Sequence, residues 1–442
     1  MGSGQRWRPC IESEGEAGMT KLEAMLRENA QIRDYKINIH EKKSYELFFV
    51  KGKLETVRRT STCDTEVTVY AAHGGFLGDA KFLVYPSTTD EELAELIAEA
   101  AEKALLIDNL PYTLPENQEG SFCVDSNFTE FSPEELAAVA ANTVFDANTV
   151  ENGSLNSVEV FVNQHTESVI NSRGVRKTQT RYDAMVEAIP TYNGKEQSVE
   201  LYKQCTFGSL DQQALHQEIA DMMIAVKARY EAVKPEQELS CKVILNKLEL
   251  AGLFENIADN LRYSAVYQHS TVFHKGDSIQ KEPVGDRIRI TMRGESKGNI
   301  CSAKFDSDGL SLGEITIVED GKAVNYFGDN RFGQYLKEEP TGNLRCMEVA
   351  PGSLSAEELA QGPYLEVISM SGLQVDFFND YIGGEVRLAY YHDGKEMKPV
   401  TGISISGSVS QVLNEIRLSS EVGIEGGYLG PAKAVLSQMK IF

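Results

Sequence analysis

The residues best spaced for chemistry lie in the stretch 247–263, KLELAGLFENIADNLRY. On a helix, Glu255 and Asp259 stand one turn apart and share a polar face. Leu250, Phe254, Ile257 and Leu261 recur at i, i+4, i+7 and i+11, so they form one apolar face and place Phe254 in a core. Two carboxylates without imidazole or thiolate make a poor zinc site, and Glu255 alone is an ordinary helix carboxylate. His269 and His274, in SAVYQHSTVFHKGD, could hold a metal together, but no acid shared with them is evident; the plain reading is two solvated or hydrogen-bonded histidines. Asp306-Ser307-Asp308-Gly309 begins like a calcium loop. It lacks a third acid at the next alternate position and the closing glutamate, so a hairpin turn is expected. Ser371-Gly372 and Thr341-Gly342-Asn343 are read as turn chemistry. No Ser/His/Asp order, nucleophile elbow or Walker loop is present.

The elements that must carry these residues follow from pattern. Thr20 and Glu23 suggest a capping box for a helix through Leu26. Alternating runs 45–50 and 53–57 flank Lys51-Gly52, a hairpin; runs 67–70 and 80–85 continue the sheet around Gly74-Gly75. Thr88 or Thr89 caps a helix through Leu105, and Ser132-Pro133-Glu134-Glu135 opens another. Strands are expected at 158–162, 167–170 and 175–180 about the turn Asn171–Gly174, then at 184–189 and 198–207. A helix over 211–232 ends before Pro235, and 234–238 (KPEQE) is the best linker. Beyond it come a strand at 241–245, the helix with Glu255, and chiefly strands, with turn signals at Asp308-Gly309, Asp320-Gly321, Gly383-Gly384 and Asp393-Gly394. The fold class expected is α+β: a leader at 1–18 expected to be flexible, an N-terminal domain at 19–235 with a mixed sheet and helices, and a C-terminal domain at 236–442, mainly an antiparallel barrel-like or sandwich sheet.

Composition narrows the function classes. A length of 442 residues implies more than one core, and 41% hydrophobic with 25% charged residues is a globular balance. The formal charge of −23, with no basic run longer than Val57-Arg58-Arg59, argues against nucleic-acid binding. No apolar run approaches the roughly 18–20 residues that span a bilayer, and the first residues lack a secretory apolar region; no membrane partner and a cytoplasmic location are expected. Seven scattered cysteines without a CxxC pair suggest reduced thiols rather than a zinc knuckle or disulfide framework.

Four later stretches carry a resemblance. They are Phe305-Asp306-Ser307-Asp308-Gly309 with ITIVEDG at 315–321; Pro340-Thr341-Gly342-Asn343-Leu344-Arg345; Tyr364–Val367 with SGLQVD at 371–376 and IGGEVRLA at 382–389; and KPVTG at 398–402 with Ile405-Ser406-Gly407. In this order they resemble the TldD/PmbA family, also called modulators of DNA gyrase, across essentially all of 19–442. In that family's proteolytic members the helix reads His-Glu-x-x-x-His. The two histidines and a cysteine near the C-terminus bind zinc, and the glutamate is the general base. Counting back from Phe273 sets Phe254 and Asp259 at the histidine positions and Glu255 at the base; the region 426–430 has no cysteine. The resemblance therefore implies a PmbA/TldE-like subunit without a metal of its own, in a cytosolic complex with a TldD-like zinc peptidase subunit that processes unfolded peptides. A homodimer of the chain alone is compatible with it. Two other readings remain: an autonomous metallopeptidase whose rebuilt site uses His269, His274 and Glu255, and a non-enzymatic modulator of a gyrase or toxin system.

Overall fold

The computed structural model describes residues 14–442, with side chains from residue 19 onward. Most of the expected leader, 1–13, lies outside the described residues. Helix α1 (Glu14–Glu28) starts before Thr20, which therefore sits inside the helix and does not cap it; Glu14, Glu16 and Ala17 extend the helical run upstream.

Strands β1 (Asp34–Val50) and β2 (Lys53–His73) form the expected hairpin, with Lys51 and Gly52 both at positive φ as a tight two-residue turn requires. β3 (Phe76–Val84) follows the Gly74-Gly75 turn. Helix α2 (Asp90–Ala104) opens on a capping box of Thr89 and Glu92. After β4 (Gln118–Cys123), helix α3 (Pro133–Asp146) has the expected Ser132/Glu135 box and Pro133 in its first turn. β5 (Gly153–Asn171) and β6 (Val175–Asn193) are single long strands where shorter pieces were expected. Short strands β7 (Ser198–Glu200) and β8 (Lys203–Phe207) precede α4 (Gln212–Glu231), capped by Asp211. These eight strands make one sheet with the path β3-β2-β1-β5-β6-β4, and β7 and β8 pair with β6.

One face of this sheet is apolar and carries the helices. Tyr35, Ile37, Val67 and Val69 pack with Leu22, Leu26, Leu93 and Ile97. Val158, Val160, Val162, Ala184 and Val186 pack with Leu136, Val144, Leu215 and Ile219. The strand period of two sends Lys36, Asn38, His40, Asn163, His165, Glu167, Lys177, Gln179, Arg181 and Asp183 to the other, helix-free face.

Past 234–238 come β9 (Lys242–Asn246), α5 (Lys247–Asn260) and α6 (Tyr263–Tyr267). They are followed by β10 (Ile290–Arg293), β11 (Glu314–Glu319), β12 (Lys322–Ala323), α7 (Asn330–Leu336), β13 (Cys346–Val349) and α8 (Ala356–Leu359). Next are β14 (Tyr364–Met370), β15 (Gln374–Asp376), β16 (Tyr381–His392), β17 (Met397–Val400), β18 (Ile403–Gly407) and α9 (Val409–Glu415). The chain closes with β19 (Arg417–Leu418), β20 (Val422–Glu425), β21 (Tyr428–Pro431), β22 (Lys433–Leu436) and β23 (Lys440–Ile441). Two sheets result, β12-β11-β10-β13-β21-β20 and β19-β22-β9-β14-β16-β18-β23, with β15 and β17 on β16. All pairings in them are antiparallel except β13 with β21 and β9 with β14. Both sheets and α5 share one core. The architecture is α+β, as expected.

One turn expectation fails. Gly383 and Gly384 lie inside β16, because a Cβ there would sit 2.4 Å from the carbonyl oxygens of Ile405 and Gly372 respectively. These glycines permit close backbone approach and do not turn the chain. Asp306–Gly309 does form a tight turn: Gly309 N–H donates to Asp306 O at 2.9 Å and Gly309 has φ +84. That turn docks the C-terminal half onto the helix-free face. Asp308 pairs with buried Lys36, and Lys177 Nζ donates to Gly309 O and Ser311 Oγ, each at 2.8 Å. Gln179 Nε2 donates to Phe305 O at 3.2 Å. Among the described residues no helix is long and apolar enough to cross a membrane.

Candidate functional site

Asn246 starts α5: its side chain accepts from Leu248 N–H at 2.9 Å and donates to Val367 O at 3.2 Å, which fixes the helix against β14. From there the 3.6-residue period decides which side chains are buried. Leu250, Leu253, Phe254, Ile257 and Leu261 are fully buried, and Glu255, Asn256 and Asp259 are exposed.

Phe254 packs against Tyr428 of β21, with ring planes 6° apart and centroids 6.3 Å apart. Tyr428 is itself 2% exposed, and its hydroxyl donates to Pro431 O at 3.0 Å. Burial pushes its phenol pKa up strongly. The preceding Gly427 admits the chain between neighbours, since a Cβ there would lie 2.6 Å from Arg345 O and 3.3 Å from Cys301 Sγ. The fold thus brings Phe254 of α5 and the C-terminal segment into contact, and the contact is a pair of aromatic rings. What it supplies is packing.

The other site residues scatter. Glu255 has no hydrogen-bond or ion-pair partner among the described residues; its charge reaches Cys301, whose thiol pKa is raised by burial first, with Arg345 and Arg181 opposing. Asp259 pairs with Arg262 at 2.6 Å, and Arg262 Nη1 donates to Asn343 Oδ1 at 3.1 Å and lies over Phe327. His269 is exposed at φ +55 just past α6. His274 is exposed in the next loop, its N–H donating to Asp277 and its ring Nδ1 3.4 Å from Tyr326 Oη. Neither histidine contacts Glu255, and among the described residues no three His, Cys, Asp or Glu side chains gather closely enough to hold a metal.

Two clusters escaped sequence reading. Beneath the start of α5, Lys247 bonds Glu218 at 2.5 Å and lies 3.8 Å from Glu425, and Lys203 bonds Glu218 at 2.6 Å. Beside them Glu249 is 6% exposed with Oε2 unpartnered, and burial, aided by Glu425, pushes its pKa up to about 7. Burial opposes ionisation of Glu218 too, but the two lysines bring its pKa down to about 2. The signal for Glu249 was a carboxylate four residues before Leu253, inside the apolar stripe. The second cluster, His40, His165 and Asp183, lies on the helix-free face; its signal was the strand parity of polar residues.

The C-terminal half, residues 238–441, matches the family model for the PmbA/TldA metallopeptidase C-terminal domain. In this half the chain is similar to the TldD/PmbA family. A zinc metalloprotease TldD homolog of Saccharolobus solfataricus is 27% identical over 142 residues, 28% of this chain and 32% of that protein. Metalloprotease PmbA of Escherichia coli O157:H7 is 24% identical over 184 residues, 40% of each chain. These matches span between a third and two fifths of the relatives' length. The fold is shared more widely: TldE from Thermococcus kodakarensis superposes with a TM-score of 0.78 at 16% identity, covering 97% of this chain and 100% of that one. A protein described as a modulator of a DNA gyrase, from Thermotoga maritima, gives 0.76 at 16% identity, again over 97% and 100%.

Proposed function

We propose that this chain is a PmbA/TldE-like, metal-free subunit of a cytosolic complex whose zinc and general base sit on a TldD-like partner, and that the complex processes or degrades unfolded peptides. The observation that carries this reading is the fully buried Phe254 seated on Tyr428. A phenyl ring offers no lone pair to zinc, and replacing it by imidazole would put a polar ring into a closed apolar core. Glu255, left on the surface without a metal-bound water to act on, has no catalytic task in this chain. The chain's part is then to complete the complex. A homodimer of the chain alone is compatible with this role.

The test is metal content and peptide cleavage of the purified chain, alone and mixed with a TldD-like subunit. The reading requires no stoichiometric zinc and no cleavage alone, and chelator-sensitive cleavage of an unfolded peptide in the mixture. One tightly bound zinc with cleavage by the isolated chain would overturn it and redirect attention to His269 and His274.

A further inference from the structure

A line of titratable side chains crosses three strands of the helix-free face. His40 stands on β1, His165 on β5 and Asp183 on β6, each a diagonal neighbour of the next. His40 Nε2 and His165 Nδ1 are 2.9 Å apart. The rings are 5° from coplanar with centroids 5.2 Å apart, so they meet nitrogen to nitrogen, edge to edge. His165 Nε2 lies 2.6 Å from Asp183 Oδ2, off the ideal N–H line but within an ion pair's reach.

The surroundings select one arrangement of protons. Burial opposes ionisation of Asp183, but His165, a 2.6 Å hydrogen bond from Asn163 Nδ2 and the charge of Arg181 hold its carboxyl below the usual range. An ionised Asp183 takes the proton-bearing side of His165, Nε2. That leaves His165 Nδ1 to accept from His40 Nε2–H, and His40 Nδ1 as a free lone pair. Burial first, then the neighbouring His165, keep His40 below the ordinary imidazole pKa, against the pull of Glu167 and Asp64. Nδ1 of His40 has no partner among the described residues, and it is not among the buried unsatisfied atoms, so it is not sealed from solvent. The order of roles is that of an Asp–His pair orienting a third group.

We propose that Asp183 and His165 form a proton relay that makes His40 Nδ1 a nucleophile toward activated acyl groups, esters with a good leaving group. Nδ1 attacks the acyl carbon, the bond to the leaving oxygen breaks, and that oxygen departs with the electron pair. The proton on His40 Nε2 passes to His165 Nδ1, and the resulting imidazolium is held by Asp183. Water then adds its hydroxyl to the acyl carbon as the N–C bond breaks. Its other hydrogen returns to His40, and His165 releases its proton to solvent. Asp183 and His165 are positioning residues; only His40 touches the acyl group. The relay uses no residue of α5.

The experiment uses the full chain with p-nitrophenyl acetate, comparing wild type, His40→Gln and Asp183→Asn, with melting curves to confirm folding. Wild type should release p-nitrophenolate about ten-fold faster than His40→Gln or more, with Asp183→Asn between them. Equal rates in wild type and His40→Gln would overturn the proposal. Carbethoxylation of wild type by diethyl pyrocarbonate decides the matter without any variant. His40 should react faster than exposed His269 and His274, and a half-buried His40 that reacts no faster than they do would refute the relay.

Discussion

Replacing Glu249 by Gln tests the electrostatics under the start of α5. The carboxyl is 6% exposed, its Oε2 has no partner, and its pKa is raised from 4.5 to about 7. A raised acid pKa means the folded state holds the proton more firmly than the unfolded chain. Its stability is therefore intact below pH 4.5 and declines as pH rises through 7. The shift of about 2.5 corresponds to ~3 kcal/mol for the ionised form, fully expressed by about pH 8.5. Glutamine keeps the shape and loses the charge. Near pH 5, Glu249→Gln should melt within a degree or two of wild type. At pH 8.5 it should be the more stable protein, and each kcal/mol moves the midpoint of a domain this size by about 2–4 °C. Glu218, brought down to about 2, acts only in acid and does not confuse the comparison. Thermal melts at pH 5, 7 and 8.5 provide the measurement. Two parallel curves, with the variant no better at pH 8.5 than at pH 5, would refute the account of a buried, penalised carboxylate.

Three further substitutions probe the frame. Phe254→Ala should cost about 3–5 kcal/mol by opening a cavity beside Tyr428, read as a lower denaturant midpoint; a loss under about 1 kcal/mol would mean the stack is not core. Tyr428→Phe, which removes only the hydroxyl bonded to Pro431 O, should cost about 1 kcal/mol in the same assay. Lys36→Met and Asp308→Asn each strand a buried charge at the docking turn and should cost about 3–5 kcal/mol singly. The double variant should cost clearly less than their sum, and additive losses in a double-mutant cycle would remove the pair as a coupled contact.

Much of the fold was legible because its signals are local. The caps Thr89 and Ser132, the Lys51-Gly52 turn and the apolar face of α5 each need only a few neighbouring residues to be recognised, and each appears where expected. Phe254 could be assigned to the core for that reason: one helical period decides it. Gly383-Gly384 misled, because two glycines read alike whether the chain turns or another backbone presses close, and only Ile405 and Gly372, outside the local window, distinguish the cases.

The polar face of the N-terminal sheet shows a different limit. Around 163–166 the chain reads Asn-Gln-His-Thr, polar on both sides of the strand, so the hydrophobic alternation that marks a strand vanishes there. Yet β5 runs unbroken through it, because β1 and β6 supply hydrogen bonds along its whole length. The same long-range pairing brings His40 to His165, 125 residues away in the chain, and His165 to Asp183. The apolar face of α5 can be read from a single stretch, because its residues recur at a helical period. A cluster built across three strands has no such spacing, so the burial of Phe254 was readable in the sequence and the histidine pair became visible only once the strands were in register.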